Sequence, residues 1–301
     1  MITCKGRSEI LRMERAALIV QEALAECVLA CVPGATTEDI DRVAAQGIKS
    51  RGGKAAFPGY RNYPKTLCIS INDEVVHGIP TTRRKIRSGD VIGLDLGAII
   101  EGYYADAARS IAVGPVGAEA EELLRLTHAG LCAGVEAVQV GGRIGDIGAA
   151  VESVARRKGY GVVREFVGHG IGTAMHEEPQ VPNYGPGGKG TIIREGMTLA
   201  IEPMFNLGTS QVNMDRDGWT VRTKDGKLSA HFEHTVVATA HGPVVLGFGR
   251  YAEGRLVPGA PALSEYPVAA SATPQHAVPS SAASPSPGVA ASASASRTAV
   301  A

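Results

Sequence analysis

A helix, helix, strands order occurs twice in this chain, and the two copies are offset by 107 residues. Shifted by that distance, Gly34 falls on Gly141, Asp39-Ile40 on Asp146-Ile147, and Gly52 on Gly159. In the first copy, Ser8 is placed to N-cap an amphipathic run through Ile10, Leu11, Met13, Ala17, Leu18, Leu24 and Val28, which Pro33-Gly34 stops. A second helix opens at Thr37 and ends near Gly52-Gly53, and β-like sequence follows over 66–72 and 91–112. In the second copy, helices are predicted over 119–140 and 146–158, and more strands come after them. Glycine at a helix stop is common, so the identities carry weight only because the element order repeats with them. The product expected is an α/β (α+β) fold of two similar halves, about 1–115 and 116–250, whose strands meet around a shared cleft.

Composition sets the limits of that domain. The segment 259–301 is rich in Ala, Ser and Pro, and Glu265 and Arg297 are its only Asp, Glu, Lys or Arg residues. Too little apolar surface is available there to offset ordering entropy, so a disordered tail is expected, with residues 1–258 forming one catalytic-sized domain. Thirty Lys+Arg balance thirty Asp+Glu, which leaves no basic footprint for direct nucleic-acid binding or an anionic membrane. The apolar stretch 16–32 is interrupted by Gln21, Glu22 and Glu26, and residues 1–10 lack the apolar segment of a secretory signal. Five scattered cysteines, an odd number, do not read as a disulfide framework. A cytoplasmic protein is expected.

The chemistry begins in the stretch 89–114. Ile92, Leu94 and Leu96 alternate with Val91, Gly93, Asp95 and Gly97, so Asp95 points away from the apolar side of its strand. A two-residue turn at Glu101-Gly102 sets a register in which Asp106 faces Gly97, with Asp95 its diagonal neighbour on the same face. A solvated hairpin with two surface acids would look the same locally. Further along, however, Glu202 ends a strand-like run at Pro203, and Glu233 lies inside the predicted strand 228–238, which pairs in a hairpin with 219–223. Acids within apolar strands are costly unless paired or bound to metal. His169 sits in Gly168-His-Gly-Ile-Gly172, where glycines allow close backbone approach. Four carboxylates and one imidazole suit a pair of divalent ions, whose shared water loses a proton near neutral pH. A mainly oxygen donor set favours manganese, iron or cobalt over a structural zinc site. His231 and His234 are expected on the face opposite Glu233, and His128 on a helix, as structural residues.

Together these residues resemble the methionine aminopeptidases. Asp95, Asp106, His169 in Gly-His-Gly-Ile-Gly, Glu202 in Ile-Glu-Pro-Met and Glu233 in Phe-Glu-His-Thr match that family's five metal ligands, and the likeness extends from about Ser8 to Leu246. It implies the pita-bread fold, two pseudo-symmetric halves of helices on a mainly antiparallel sheet. Only 26 positions separate His176 from Glu202, which leaves no room for the long type 2 insertion and points to the bacterial-style type 1 form. By the resemblance, Asp95 chelates one of two divalent ions (Co, Mn, Fe or Zn), Asp106 and Glu233 bridge both, and His169 and Glu202 complete the second. Glu202 is the implied general base. His77, in Val-His-Gly-Ile-Pro, and His176, in Met-His-Glu-Glu-Pro, are the implied substrate-facing histidines, and Tyr60, Tyr63, Cys68 and Trp219 line the methionine pocket. Phe57 stands where bacterial relatives often have cysteine, and Met175 where phenylalanine is common; both are apolar, so methionine is still expected to fit, with pocket width left open.

The resemblance implies removal of the initiator methionine from nascent proteins with a small second residue, by a monomer in transient contact with ribosomes. Two other readings remain at this level. One is a prolidase or Xaa-Pro aminopeptidase on the same fold, which usually carries an extra N-terminal domain. The other is a non-catalytic pita-bread module that binds a partner.

Overall fold

The computed structural model describes residues 2–248, 251–252 and 255–256. Helix α1 (Arg7–Ala30) starts earlier than Ser8 capping would allow: its N-cap is Gly6, whose N–H is taken by the Glu9 carboxylate at 2.7 Å. Glu9 at the third helical position supplies this bond, so the helix gains two residues that the Ser8 signal misses. Helix α2 (Thr37–Ser50) begins at a Thr36 cap, and the Asp39 side chain accepts from the Thr36 N–H at 2.8 Å. In the second half, α3 (Ala118–Glu136) and α4 (Ile144–Arg156) repeat the pair, with Asp146 accepting from the Arg143 N–H at 2.7 Å.

The sequence echo therefore has a physical basis. Its two aspartates close the same cap, and its glycines adopt the same left-handed backbone, φ 95° at Gly34 against 90° at Gly141, and 77° at Gly52 against 70° at Gly159. Even the isolated bridge Thr36–Lys85 recurs 107 residues later, as Arg143–Ile192.

Nine strands form one sheet: β1 (Lys54–Ala55), β2 (Leu67–Ile71), β3 (Val91–Ile100), β4 (Tyr103–Ala112), β5 (Gly168–Gly170), β6 (Glu177–Val181), β7 (Thr198–Ile201), β8 (Glu233–Thr239) and β9 (Gly242–Val245). Every pairing in it is antiparallel, and β8 is the seam, bonded to β4 of the first half and β7 of the second. One sheet face receives the helices. Ile92, Leu94 and Leu96 of β3 pack with Val20, Leu24 and Ile40 of α1 and α2, while Leu199 and Ile201 of β7 pack with Leu131 and Ile147 of α3 and α4. The opposite face is left to line the cleft.

The hairpin expected between 219–223 and 228–238 does not form. The strand Val221–Thr223 lies between Val212–Met214 and Glu74–Val76. The stretch 228–238 divides at the buried Phe232 into Ser229–His231, paired with Met204–Asn206, and β8. The turn that 219–223 does use was marked by Asp217-Gly218: Asp217 accepts from the Trp219 and Thr220 N–H groups at 2.8 Å, and Gly218 has φ 77°. Among the described residues, no helix is long and apolar enough to cross a membrane. The Ala/Ser/Pro-rich tail, 259–301, lies outside the described residues.

Candidate active site

The register of the β3–β4 hairpin is the one expected, with Gly97 opposite Asp106 and Asp95 opposite Ala108. Asp95 and Asp106 thus leave the same face. Glu233 enters beside them because β8 sets it opposite Ala108 of β4. At this seam the Thr235 hydroxyl accepts from the Asp106 N–H at 3.0 Å and donates to the Asp106 carbonyl oxygen at 2.9 Å. Glu202 lies 107 residues after Asp95, the offset of the internal repeat, and it follows β7 as Asp95 sits within β3. The two halves contribute equivalent acids.

His169 arrives on β5, which is packed too tightly for any residue but glycine on either side. A Cβ on Gly168 would stand 2.3 Å from the Ala200 carbonyl oxygen, and one on Gly170 would stand 2.3 Å from that of Glu178. The His169 Nδ1–H donates to the Gly170 carbonyl at 2.9 Å, which turns Nε2 toward Glu202 Oε1 at 3.5 Å.

All five groups line one cavity of about 190 Å³. Asp106, His169 and Glu233 each bring a donor atom within 4.8 Å of the others. Asp95 and Glu202 are half-buried and line this cavity. Burial pushes the Asp95 carboxyl up to about 7. It also pushes Asp106, Glu202 and Glu233 well above the usual carboxylate range, with their mutual repulsion adding to the shift. The His169 imidazole is pushed down to about 3 by burial, with the His176 ring adding to it, so it is neutral and can offer a lone pair. Asp95 Oδ1, Asp106 Oδ1 and Glu233 Oε1 are buried with no hydrogen-bond partner. An unpaired buried carboxylate costs several kcal/mol, on the order of 3–5. Divalent cations would satisfy these oxygens and remove the repulsion, so the donor set fits them.

Beside the acids is an apolar chamber. Tyr63 is fixed by its hydroxyl, which donates to the Leu67 and Gly78 carbonyl oxygens, and it meets Trp219 edge-on at 5.0 Å. Cys68 lies directly across from Asp95 on β2, and burial, then the neighbouring carboxylate, raise its thiol pKa, so it is a neutral packing surface. Phe57 and Met175 also line the chamber and would clash with any side chain at Gly97, whose Cβ would stand 2.9 Å from Phe57 Cε1.

The two histidines sit at the cavity as expected. Tyr60 hydrogen-bonds His176 Nδ1 at 2.7 Å and stacks on its ring, and the His176 ring lies 4.1 Å from that of His169. His77 has an unusual left-handed backbone, φ 61°, and contacts Phe166 and Trp219 edge-on. Burial, then the nearby His176, lower its pKa to about 4, so it is neutral.

One expectation about the remaining histidines is overturned. His234 does face away, toward Phe248, but His231 lines the cavity, with Nε2 3.9 Å from Glu202 Oε2. Residues two apart on a strand share a face, so its spacing from Glu233 already placed it with the acid. The sequence reading also missed Phe166, which lines the same cavity from a loop, and Arg61, from the single 3₁₀ turn Tyr60–Asn62; neither carries a periodic signal.

A buried ion pair holds the loop that bears His176. Lys5, 7% exposed, bonds Glu177, the next residue, and Glu177 also accepts from the Thr173 and Ala174 N–H groups. Lys5→Met, which strands that carboxylate, is expected to cost about 3 kcal/mol in urea unfolding. Adding Glu177→Gln should recover part of the loss, and additive losses in the double variant would show that the pair is not coupled.

Comparison with known proteins now decides the family. The pattern of metallopeptidase family M24 matches residues 11–240. A methionine aminopeptidase of Clostridium acetobutylicum is 46% identical over 246 residues, 82% of this chain and 98% of that protein. The chain belongs to the methionine aminopeptidases of family M24. The crystal structure of a Thermotoga maritima methionine aminopeptidase matches with a TM-score of 0.81 at 40% identity, over 82% of this chain and 99% of that one. A Pyrococcus furiosus prolidase, 22% identical with a TM-score of 0.64, shares the fold, and this chain covers 65% of it. The two-halved, mainly antiparallel pita-bread fold expected from the resemblance is therefore the fold of this family member. Membership of a metallopeptidase family implies use of divalent metal, and the acid and histidine cluster is the candidate place for it.

Proposed function

We infer that this chain removes the N-terminal methionine from nascent proteins and peptides whose second residue is small. The observation that carries the reading is a cluster of buried carboxylates, three of them with an oxygen that has no hydrogen-bond partner, opening directly onto an apolar chamber. We assign Asp95, Asp106, His169, Glu202 and Glu233 to holding two divalent ions, of Co, Mn, Fe or Zn. Such ions, when bound, supply the Lewis acidity that makes water a competent nucleophile and polarises a carbonyl.

The chain's own residues do the rest. Tyr63, Cys68 and Trp219, with Phe57 and Met175, take the methionine side chain, whose thioether suits a polarizable apolar wall. With Tyr60 on Nδ1, the His176 Nε2 is the atom left to face the scissile amide, where an N–H stabilises developing negative charge. His77, neutral and aimed across the chamber, contacts the same amide from the other side. Glu202 takes the proton of the attacking water at its carboxylate and returns it to the leaving amine. We place all of this in a single catalytic domain, 1–258, with 259–301 as an appended tail. The enzyme is read as a cytoplasmic monomer in transient contact with ribosomes, where nascent N-termini appear.

The test is methionine release from Met-Ala-Ser beside Met-Leu-Ser and Ala-Pro-Ser, using metal-stripped protein given Mn, Fe, Co or Zn in turn. Metal-dependent cleavage of the first peptide alone is expected. Cleavage of Ala-Pro-Ser alone would make the chain a prolidase-like enzyme, and no cleavage by folded protein with any metal would leave a binding module.

A further inference from the structure

The closed end of the cavity accounts for the first residue of a substrate, but the remainder of the peptide must leave through the mouth, and one charged side chain stands there. Arg61 is exposed, yet it lines the same cavity as the acids and the methionine chamber. It is not loosely held. The turn 57–63 is closed by backbone hydrogen bonds from Gly59 to the Tyr63 carbonyl oxygen at 2.9 Å, and from Tyr63 to that of Tyr60 at 2.8 Å. Within it Arg61 and Asn62 both adopt left-handed backbone, φ 46° and 68°, a conformation that costs non-glycine residues about 1 kcal/mol or more each. The guanidinium carbon lies 5.6 Å from the Tyr60 ring centroid, and Tyr60 in turn holds His176. Among the described residues, no carboxylate lies within ion-pair distance of Arg61. The fold thus spends backbone strain to set an unpaired cation on the exit path of the substrate.

We propose that Arg61 is a specificity-determining residue that favours substrates carrying a carboxylate side chain just beyond the small second residue. The proposal rests on the peptidase reading above and adds a substrate preference to it. An acidic side chain at the third or fourth position meets an uncompensated guanidinium, whereas a lysine there is repelled. The contact is at a solvated rim, so the effect is a modest one that salt screens.

The experiment compares kcat/KM for C-terminally amidated Met-Ala-Glu-Ser and Met-Ala-Lys-Ser, since amidation removes the competing terminal carboxylate. The metal-loaded enzyme, Arg61→Gln and Arg61→Glu are assayed in parallel. The parent enzyme is expected to prefer the glutamate peptide by about three- to fivefold. The preference should vanish in Arg61→Gln, reverse in Arg61→Glu, and shrink as salt is raised from about 20 mM to about 0.3 M. An equal Glu/Lys ratio in all three proteins, or a preference that survives charge reversal, overturns the proposal while leaving the peptidase reading intact. Failure of the parent enzyme to release methionine from either peptide would instead sink that reading itself.

Discussion

Asp106→Ala is expected to lower kcat/KM for Met-Ala-Ser by at least about 10³-fold, because on the assignment proposed above the metal site would lose one of its carboxylates. A residue of purely structural importance could also give that loss, so stability must be measured beside activity. Asp106 is 5% exposed and its charge is opposed by burial, by Glu233 and by Asp95. Its removal relieves repulsion in the metal-free protein. Metal-free Asp106→Ala should therefore be at least as resistant to heat as the metal-free parent, while binding less metal by calorimetry. A variant that unfolds early even without metal would mean that Asp106 supports the fold and not the ions.

The second large effect concerns the metal itself. On the assignment proposed above, ions would bind only the folded arrangement, because the donors run from Asp95 to Glu233 along the chain. An ion at one hundred times its dissociation constant adds about 2.7 kcal/mol of stability. For a domain of this size that raises Tm by roughly 5–10 °C, and a second ion adds to it. Proton linkage gives the same experiment a sign. In the metal-free protein the buried carboxylates have raised pKa values, about 7 for Asp95, so the folded state binds more protons than the unfolded chain between the usual carboxylate range and that value. The carboxylates' contribution to its stability falls as pH rises through this window. The buried neutral His77, His169 and His231 contribute with the opposite sign up to the ordinary histidine value, so a net fall is expected above that value. The loaded protein should do the opposite, since protons compete with the ions for the same oxygens. Parallel pH profiles with and without metal would contradict the site as drawn.

Much of this arrangement is legible in the sequence because it is written in regular elements. Strand alternation and a two-residue turn are enough to put Asp95 and Asp106 on one face, and paired caps and stop glycines reveal the repeat. Glu202 was legible as an acid ending a strand, while its place as the counterpart of Asp95 in that repeat went unread. What failed depended on strand partners far apart in the chain. Residues 228–238 look like one strand, yet the break at Phe232 is set by two sheets competing for its two ends. The placement of His231 was legible, because it stands two residues from Glu233; the expectation that it faced away misjudged that spacing. Arg61 and Phe166 reach the cavity from a single 3₁₀ turn and a loop, where neither alternation nor helical spacing says which way a side chain turns.

The position of β8 bears on how the protein comes into being. It is the eighth of nine strands in chain order, yet it lies in the middle of the sheet, joining the two halves. During synthesis each half can pair its own strands early, but β4 and β7 keep open edges until residues 233–239 arrive. Such long-range closure is slow to form, and open edges invite pairing with other chains. Because Glu233 is the first residue of that strand, the last carboxylate of the proposed metal site and protection from aggregation arrive in the same folding event.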